Sequence, residues 1–131
     1  MKITVSATEG SLNADIDMRF GRCPYYIIFE IEENKIKGHE ILKNIADQEM
    51  RGAGITAAQI VVNKETNIVI TGNVGPKSFS VLSASGIKII SGVNGNVKDA
   101  VEKYLRGELK ESKKSMPGFG MGRGKGWNQQ R

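Results

Sequence analysis

The second half of the chain alternates short apolar segments with amphipathic ones, and this alternation restricts the fold more than any other feature. Apolar, β-branched runs at 67–71 and 87–91 are each followed by a glycine-rich loop and then by a helical pattern. Short apolar strands that alternate with helices are typical of a parallel sheet covered on both faces. The sequence therefore predicts an α/β domain.

Three amphipathic segments in this half are predicted to be helices. Pro76 fits the first turn of the second helix, because its missing N–H would have no intrahelical acceptor there. Asn96 is suited to cap the third helix, Val97–Leu105, and Gly107 is suited to end it. The first helix opens at Gly52 and is expected to bury a face made of Ile55, Ala58, Val61 and Val62.

The first half of the chain contributes three strands, at Lys2–Ala7, Tyr25–Glu32 and Lys35–Lys43. Only the dipeptide Glu33-Asn34 separates the last two strands, which indicates an antiparallel hairpin. Together with the two later strands, this predicts a three-layer α/β domain with a mixed sheet of about five strands flanked by helices.

Composition and charge divide the chain into a folded part and a tail. Of 131 residues, 39% are hydrophobic and 25% are charged, as in ordinary globular proteins, and the length suits one domain. Residues 1–110 carry 14 Lys and Arg against 13 Asp and Glu, whereas residues 111–131 carry 5 against 1. We expect a folded domain over 1–110 and a disordered, basic, Gly- and Met-rich tail over 111–131.

Other bulk features favour a cytoplasmic protein. A single cysteine cannot form an intrachain disulfide, so nothing indicates an oxidising compartment. No apolar run approaches the roughly 20 residues that a membrane span needs, and the first residues do not resemble a secretory signal. We therefore expect cytoplasmic localisation and no membrane partner.

The single cysteine, Cys23, follows two arginines in a segment that precedes the second strand. Arg19 and Arg22 would favour its thiolate, and a thiolate is a soft metal ligand. Cys23 is therefore a candidate functional thiol at the surface, and both arginines are candidate donors to an anionic ligand. The alternative is that Cys23 is a small core residue and that the arginines are ordinary surface charges.

Two glycine-rich loops each run from a predicted strand into a predicted helix. Their candidate binding residues are Gly72, Asn73 and Gly75 in the first loop and Gly92, Asn94 and Gly95 in the second. In a parallel sheet, such loops meet where the strands end, and backbone N–H groups and helix N-termini there favour anions. We expect a cleft lined by N–H donors. The alternative is that the glycines only permit tight turns.

Five sequence blocks follow one another in the order of a known family. They are Asp-x-Arg-Phe-Gly-Arg-Cys-Pro-Tyr-Tyr (17–26), Gly-Ala-Gly-Ile-x-Ala-Ala-Gln (52–59), Ile-Thr-Gly-Asn-Val-Gly-Pro (70–76), Ser-Ala-Ser-Gly-Ile-Lys (83–88) and Gly-x-x-Gly-x-Val-x-x-Ala-Val (92–101). Over roughly residues 1–107, the chain resembles the dinitrogenase iron–molybdenum cofactor biosynthesis family, which includes the NifX proteins and the C-terminal domain of NifB.

The resemblance implies a ribonuclease-H-like fold and a protein that is not an enzyme. It implies a carrier that binds an iron–sulfur or molybdenum–iron–sulfur cluster, or its precursor, in metallocluster assembly or storage. Cys23 would be a metal ligand, Arg19 and Arg22 its charge partners, and the two glycine loops would donate N–H groups to the cluster. The implied partners are cluster-assembly or acceptor proteins, and we expect a monomer or a weak homodimer.

Two other functions stay open at this point. The glycine loops would also suit a small-anion or nucleotide-binding regulatory module. The basic tail and the implied fold raise a nucleic-acid-binding or nuclease domain, but a metal-dependent nuclease needs several carboxylates, and only Asp15 and Asp17 are candidates. Because residues 1–110 carry a net charge of only +1, they lack a basic footprint, and nucleic acid is not expected as a partner.

Overall fold

A computed structural model describes residues 1–48 and 52–112. Within them, five strands are present: β1 (Lys2–Ala7), β2 (Tyr25–Glu32), β3 (Lys35–Lys43), β4 (Ile68–Ile70) and β5 (Lys88–Ile90). Three α-helices are present as well: α1 (Ala53–Asn63), α2 (Pro76–Ala84) and α3 (Val97–Leu105), and a short 3-10 helix covers Ile45–Gln48. The strands predicted at 67–71 and 87–91 are each one residue shorter at both ends.

The strands form one mixed sheet in the order β3-β2-β1-β4-β5. β1 pairs in antiparallel fashion with β2, and β2 with β3, whereas β1–β4 and β4–β5 are parallel. Glu33 and Asn34 join β2 to β3 with φ values of 52° and 64°, as the central residues of a type I′ hairpin turn require. The predicted mixed sheet of five strands is confirmed, and the ribonuclease-H-like classification stays a prediction.

Helices cover both faces of the sheet, so the predicted three layers are confirmed. On one face, α3 packs against the odd-numbered residues of β1 and β2 through Val97, Ala100 and Val101. On the opposite face, α1 and α2 pack against the sheet, and α1 buries Ala53, Ala57, Ala58 and Val61. This second face carries the loops and helix ends that form the cleft described below.

The expected buried face of α1 is partly wrong. Ala58 and Val61 are fully buried, but Ile55 is 39% exposed and its place toward the sheet is taken by alanines. Small side chains let a helix lie close to the sheet at the packing density of a protein interior. Ile55 lies in the first turn of α1, where it lines the cleft described below.

The predicted ends of α3 are confirmed in atomic detail. Asn96 Oδ1 accepts a hydrogen bond from the backbone N–H of Asp99 at 3.0 Å, which caps the first turn. At the other end, Gly107 has a φ of 79° and donates to the carbonyl of Tyr104, while Glu108 N–H donates to the carbonyl of Lys103. These two bonds form a Schellman motif, which supplies N–H donors to carbonyls in the last turn of the helix.

The described chain continues slightly beyond the predicted domain boundary. Ser112 donates its backbone N–H to the carbonyl of Ile89 at 2.7 Å, and its hydroxyl lies 2.8 Å from that of Ser91. The division at residue 110 stays a prediction, and residues 113–131 of the predicted tail lie outside the described residues. Among the helices that the structure describes, none is long and apolar enough to span a membrane.

Candidate functional site

A cleft of about 590 Å³ opens at the edge of the sheet beyond the ends of β1 and β4. Three segments that are distant in sequence form its walls: the loop before β2, the start of α1, and the segment that leads into α2. Its lining residues are Arg19, Phe20, Gly21, Arg22, Gly52, Ala53, Gly54, Ile55, Asn73, Gly75, Lys77 and Ser78.

The cleft is electropositive. Arg19, Arg22 and Lys77 line it, and no acidic residue is found among the described lining residues. α1 begins after Gly52 and α2 after Gly75, and neither helix has a side-chain cap or an acidic residue in its first turn. The first N–H groups of a helix have no intrahelical acceptor and carry partial positive charge. The arrangement therefore favours an anionic ligand.

Arg19 is held at the cleft by a buried carboxylate. Asp17, which is only 7% exposed, accepts hydrogen bonds at Oδ1 from the backbone N–H of Arg19 at 2.8 Å and from its Nε at 3.2 Å. Asp17 is itself fixed to the sheet, because its carbonyl accepts from the Ser6 hydroxyl, which lies 2.7 Å from the hydroxyl of Thr71. The loop that carries Arg19 is thus tied to β1 and to the end of β4.

The same loop pairs with the segment that follows β4. Arg19 and Asn73 form a parallel bridge, in which Phe20 N–H donates to the carbonyl of Asn73 at 3.1 Å. The side-chain Oδ1 of Asn73 is buried and has no hydrogen-bond partner among the described residues. Buried polar atoms are almost always paired, so a water molecule or a bound group with a donor would satisfy this oxygen.

The expectation of an exposed, thiolate-forming Cys23 is wrong. Cys23 is fully buried with Phe20 and Tyr26, and its Sγ donates to the carbonyl of Phe20 at 3.4 Å. Burial penalises the charged form and raises the pKa of the Cys23 thiol from 9.0 to about 12. The arginines do not reverse this effect, and Asp17 adds to it. The thiol packs beneath the turn that carries Arg22 and does not line the cleft.

The predicted glycine loops are only partly brought to the cleft. Asn73 and Gly75 line it, whereas Gly72 is buried under Met18, whose Cα would lie 2.6 Å from a Cβ at that position. The second loop, with Gly92, Asn94 and Gly95, is not among the lining segments. Its backbone is engaged elsewhere, because Gly92 N–H donates to the Gly72 carbonyl and Gly95 O accepts from Ile16. Its glycines have φ values of 77° and 96°, which supports the turn interpretation.

Two polar side chains that line the cleft are not among the residues predicted from the sequence. Lys77 and Ser78 follow Pro76 in the first turn of α2 and line the cleft. A lysine directly after a helix-starting proline, downstream of a glycine-rich loop, was the available signal. Across the described residues, no group of three or more His, Cys, Asp or Glu side chains is placed to hold a metal ion. The cleft therefore offers positive charge and hydrogen-bond donors.

Glycines allow the walls of the cleft to approach each other closely. A Cβ on Gly21 would lie 2.8 Å from the Cα of Gly54, and a Cβ on Gly54 would overlap the hydroxyl of Ser78. These contacts fix the loop before β2 against α1, and α1 against α2. The spacing of the cationic groups depends on them.

We expect Gly21→Ala to lower the free energy of unfolding by about 1–3 kcal/mol, because the new methyl group meets backbone that cannot give way. Gly38→Ala is the matched control, since nothing lies within 4 Å of a Cβ there, and it should change stability by at most about 0.5 kcal/mol. Urea unfolding of both variants measures the difference. Equal stabilities would contradict the close approach of loop and helix.

The fold of this chain is similar to that of proteins whose structures have been solved. The apo form of the orange protein from Desulfovibrio gigas is 30% identical, with a TM-score of 0.83, over 88% of this chain and 96% of that one. A protein from Thermotoga, whose description relates it to NifB, is 27% identical with a TM-score of 0.72, over 84% of this chain and 91% of that one. Both likenesses extend over nearly the whole of the described fold.

Sequence comparison gives the family. An uncharacterized protein of Methanocaldococcus jannaschii is 34% identical over 99 residues, which cover 76% of this chain and 84% of the relative. The model of the family described as dinitrogenase iron-molybdenum cofactor matches residues 1–107, which include every described residue of the cleft. The chain belongs to the dinitrogenase iron–molybdenum cofactor family.

Proposed function

We propose that this protein is a non-enzymatic carrier that holds an anionic iron–sulfur or molybdenum–iron–sulfur cluster, or a precursor of one, in the cleft between Arg19, Arg22 and Lys77. The cluster is cargo, taken from one protein and passed to another. The observation that carries the proposal is the joining of three cationic side chains and two uncapped helix N-termini in one open cleft.

The chemistry of the cleft suits such a cargo. Metal–sulfur clusters carry net negative charge, and their sulfur atoms accept hydrogen bonds. Guanidinium groups and first-turn N–H groups donate hydrogen bonds without forming a bond to the metal. Binding of this kind is reversible, because release requires no ligand exchange at a metal ion. Reversible binding is what a carrier needs when it delivers cargo to an assembly or acceptor protein.

The proposal does not need Cys23 as a ligand. A thiol with a pKa of about 12 is protonated at neutral pH, and a protonated thiol is a poor metal ligand. Coordination by Cys23 would require the turn over it to open. Binding of the cargo by Arg19, Arg22 and Lys77 requires no such change.

Anaerobic titration of the full-length protein tests the proposal, with tetrathiomolybdate, a cuboidal iron–sulfur cluster, inorganic phosphate and ATP as separate probes. We expect saturable uptake of one metal–sulfur anion per chain, measured by visible absorption. Added salt should weaken this binding. Binding of phosphate or ATP without uptake of a metal–sulfur anion would contradict the carrier function and support a small-anion or nucleotide-binding module. Binding of none of the probes would also contradict it.

A further inference from the structure

Asn44 occupies a buried position beneath the turn that carries Arg22. It follows β3 directly and is fully buried. Its side-chain Nδ2 donates to the carbonyl of Gly21 at 3.1 Å and to the carbonyl of Cys23 at 2.8 Å. Its Oδ1 accepts from the N–H of Ala46 at 3.1 Å, and its own N–H donates to the carbonyl of Pro24 at 2.9 Å. One side chain thus satisfies three backbone groups from two loops.

The two carbonyls that Asn44 binds belong to the residues on either side of Arg22. Because both carbonyls point inward to one amide group, the intervening residue is turned toward the outside, where Arg22 is exposed and lines the cleft. Arg19 is held in a different way, by Asp17 and by the bridge to Asn73. The two arginines of the cleft therefore have separate supports.

We propose that Asn44 is a positioning residue that holds Arg22 for recognition of the anionic cargo. The inference rests on the proposed function and extends it to a residue outside the cleft. Asparagine suits this place, because its NH₂ group supplies two donors and its carbonyl supplies one acceptor. Aspartate would place an acceptor against two carbonyls, and leucine would leave three buried or partly buried backbone groups without this partner.

A double-mutant cycle with Asn44→Ala and Arg22→Gln tests the role, with tetrathiomolybdate as the probe. We expect each single variant of the full-length protein to bind on the order of tenfold more weakly, as for the loss of one charge-assisted hydrogen bond. If Asn44 acts through Arg22, adding Asn44→Ala to Arg22→Gln should change the affinity by less than about twofold. In an Arg19→Gln background, Asn44→Ala should keep its full effect.

Controls separate positioning from general loss of stability. Thr66→Val removes a buried hydrogen bond, since the hydroxyl of Thr66 lies 2.7 Å from that of Thr4, and Thr66 precedes β4 at the end of the sheet away from the cleft. This variant should lose stability but keep its affinity. If Asn44→Ala does not fold, Asn44→Ser keeps one donor and takes its place in the cycle, with the same expected pattern.

The outcomes distinguish the two proposals. If Arg22→Gln binds as tightly as the wild type, the charge recognition in the proposed function is wrong. A second outcome is that Arg22→Gln weakens binding, and that Asn44→Ala weakens it by the same factor in the wild type and in the Arg22→Gln variant. In that case the positioning role of Asn44 is overturned and the proposed function stands. A loss of affinity in Thr66→Val equal to that in Asn44→Ala would also overturn the positioning role.

Discussion

Replacement of all three cleft cations, as Arg19→Gln, Arg22→Gln and Lys77→Gln together, is expected to lower the affinity for an anionic metal–sulfur cluster by about a thousandfold or more. A hydrogen bond to a charged group contributes about 1.5–3 kcal/mol, and a factor of ten in affinity corresponds to about 1.4 kcal/mol. Because these side chains share one cleft, their effects are not strictly additive, and a thousandfold loss is the lower end of the range. Equilibrium titration at 0.1 M salt measures it.

A charge-matched variant is the control for this experiment. Lys37, Lys88 and Lys103 are exposed and do not line the cleft, so their joint replacement by glutamine changes the net charge equally. We expect this control to bind within a few-fold of the wild type, since exposed charges beyond about 10 Å are largely screened at 0.1 M salt. Equal weakening of both triple variants would mean that net charge, and no particular cleft, governs binding.

Most of the fold could be predicted because its signals are local. The hairpin of β2 and β3 follows from a β-branched and aromatic run, a two-residue connection and a second segment with alternating apolar residues, and the ends of α3 follow from Asn96 and Gly107. Each of these features depends on neighbours within a few positions along the chain. The exposure of Ile55 was not predictable in this way, because it depends on how closely alanines let α1 approach the sheet.

The candidate site was predicted less completely, since tertiary contacts decide which loops meet. Arg19, Arg22, Asn73 and Gly75 line the cleft, because loops that follow parallel strands converge at one edge of a sheet. The loop at 92–95 lies at the same edge, because β5 is parallel to β4 and Gly92 N–H donates to the Gly72 carbonyl. It does not line the cleft, however, since its contacts with Gly72 and Ile16 engage its backbone. Those contacts depend on the path of an irregular loop, for which the sequence has no periodic signal.

Cys23 is expected to react with iodoacetamide at pH 8 about a thousandfold more slowly in the folded protein than in the unfolded chain. The thiolate is the reacting species, and a rise of the pKa from 9.0 to about 12 lowers its fraction by roughly that factor. Alkylation rates in buffer and in denaturant measure the effect. The buried thiol would be contradicted if the folded protein is alkylated rapidly. If a bound cluster also prevents this alkylation, the result would support Cys23 as a ligand.

The same burial predicts how stability depends on pH. Because the folded protein favours the neutral thiol, the contribution of Cys23 is fully present below pH 9 and is lost as pH rises toward 12. The full loss amounts to about 4 kcal/mol, from the three-unit rise in the pKa. Cys23→Ala should lower the free energy of unfolding by about 1 kcal/mol at pH 7 through its small cavity, yet this free energy should decline less steeply above pH 9 than in the wild type.

The Cys23→Ala variant should also keep the wild-type affinity for the metal–sulfur anion, because the thiol lies beneath the cleft and the cargo is held by the cations above it. A loss of binding in this variant with the fold intact would return Cys23 to the ligand set.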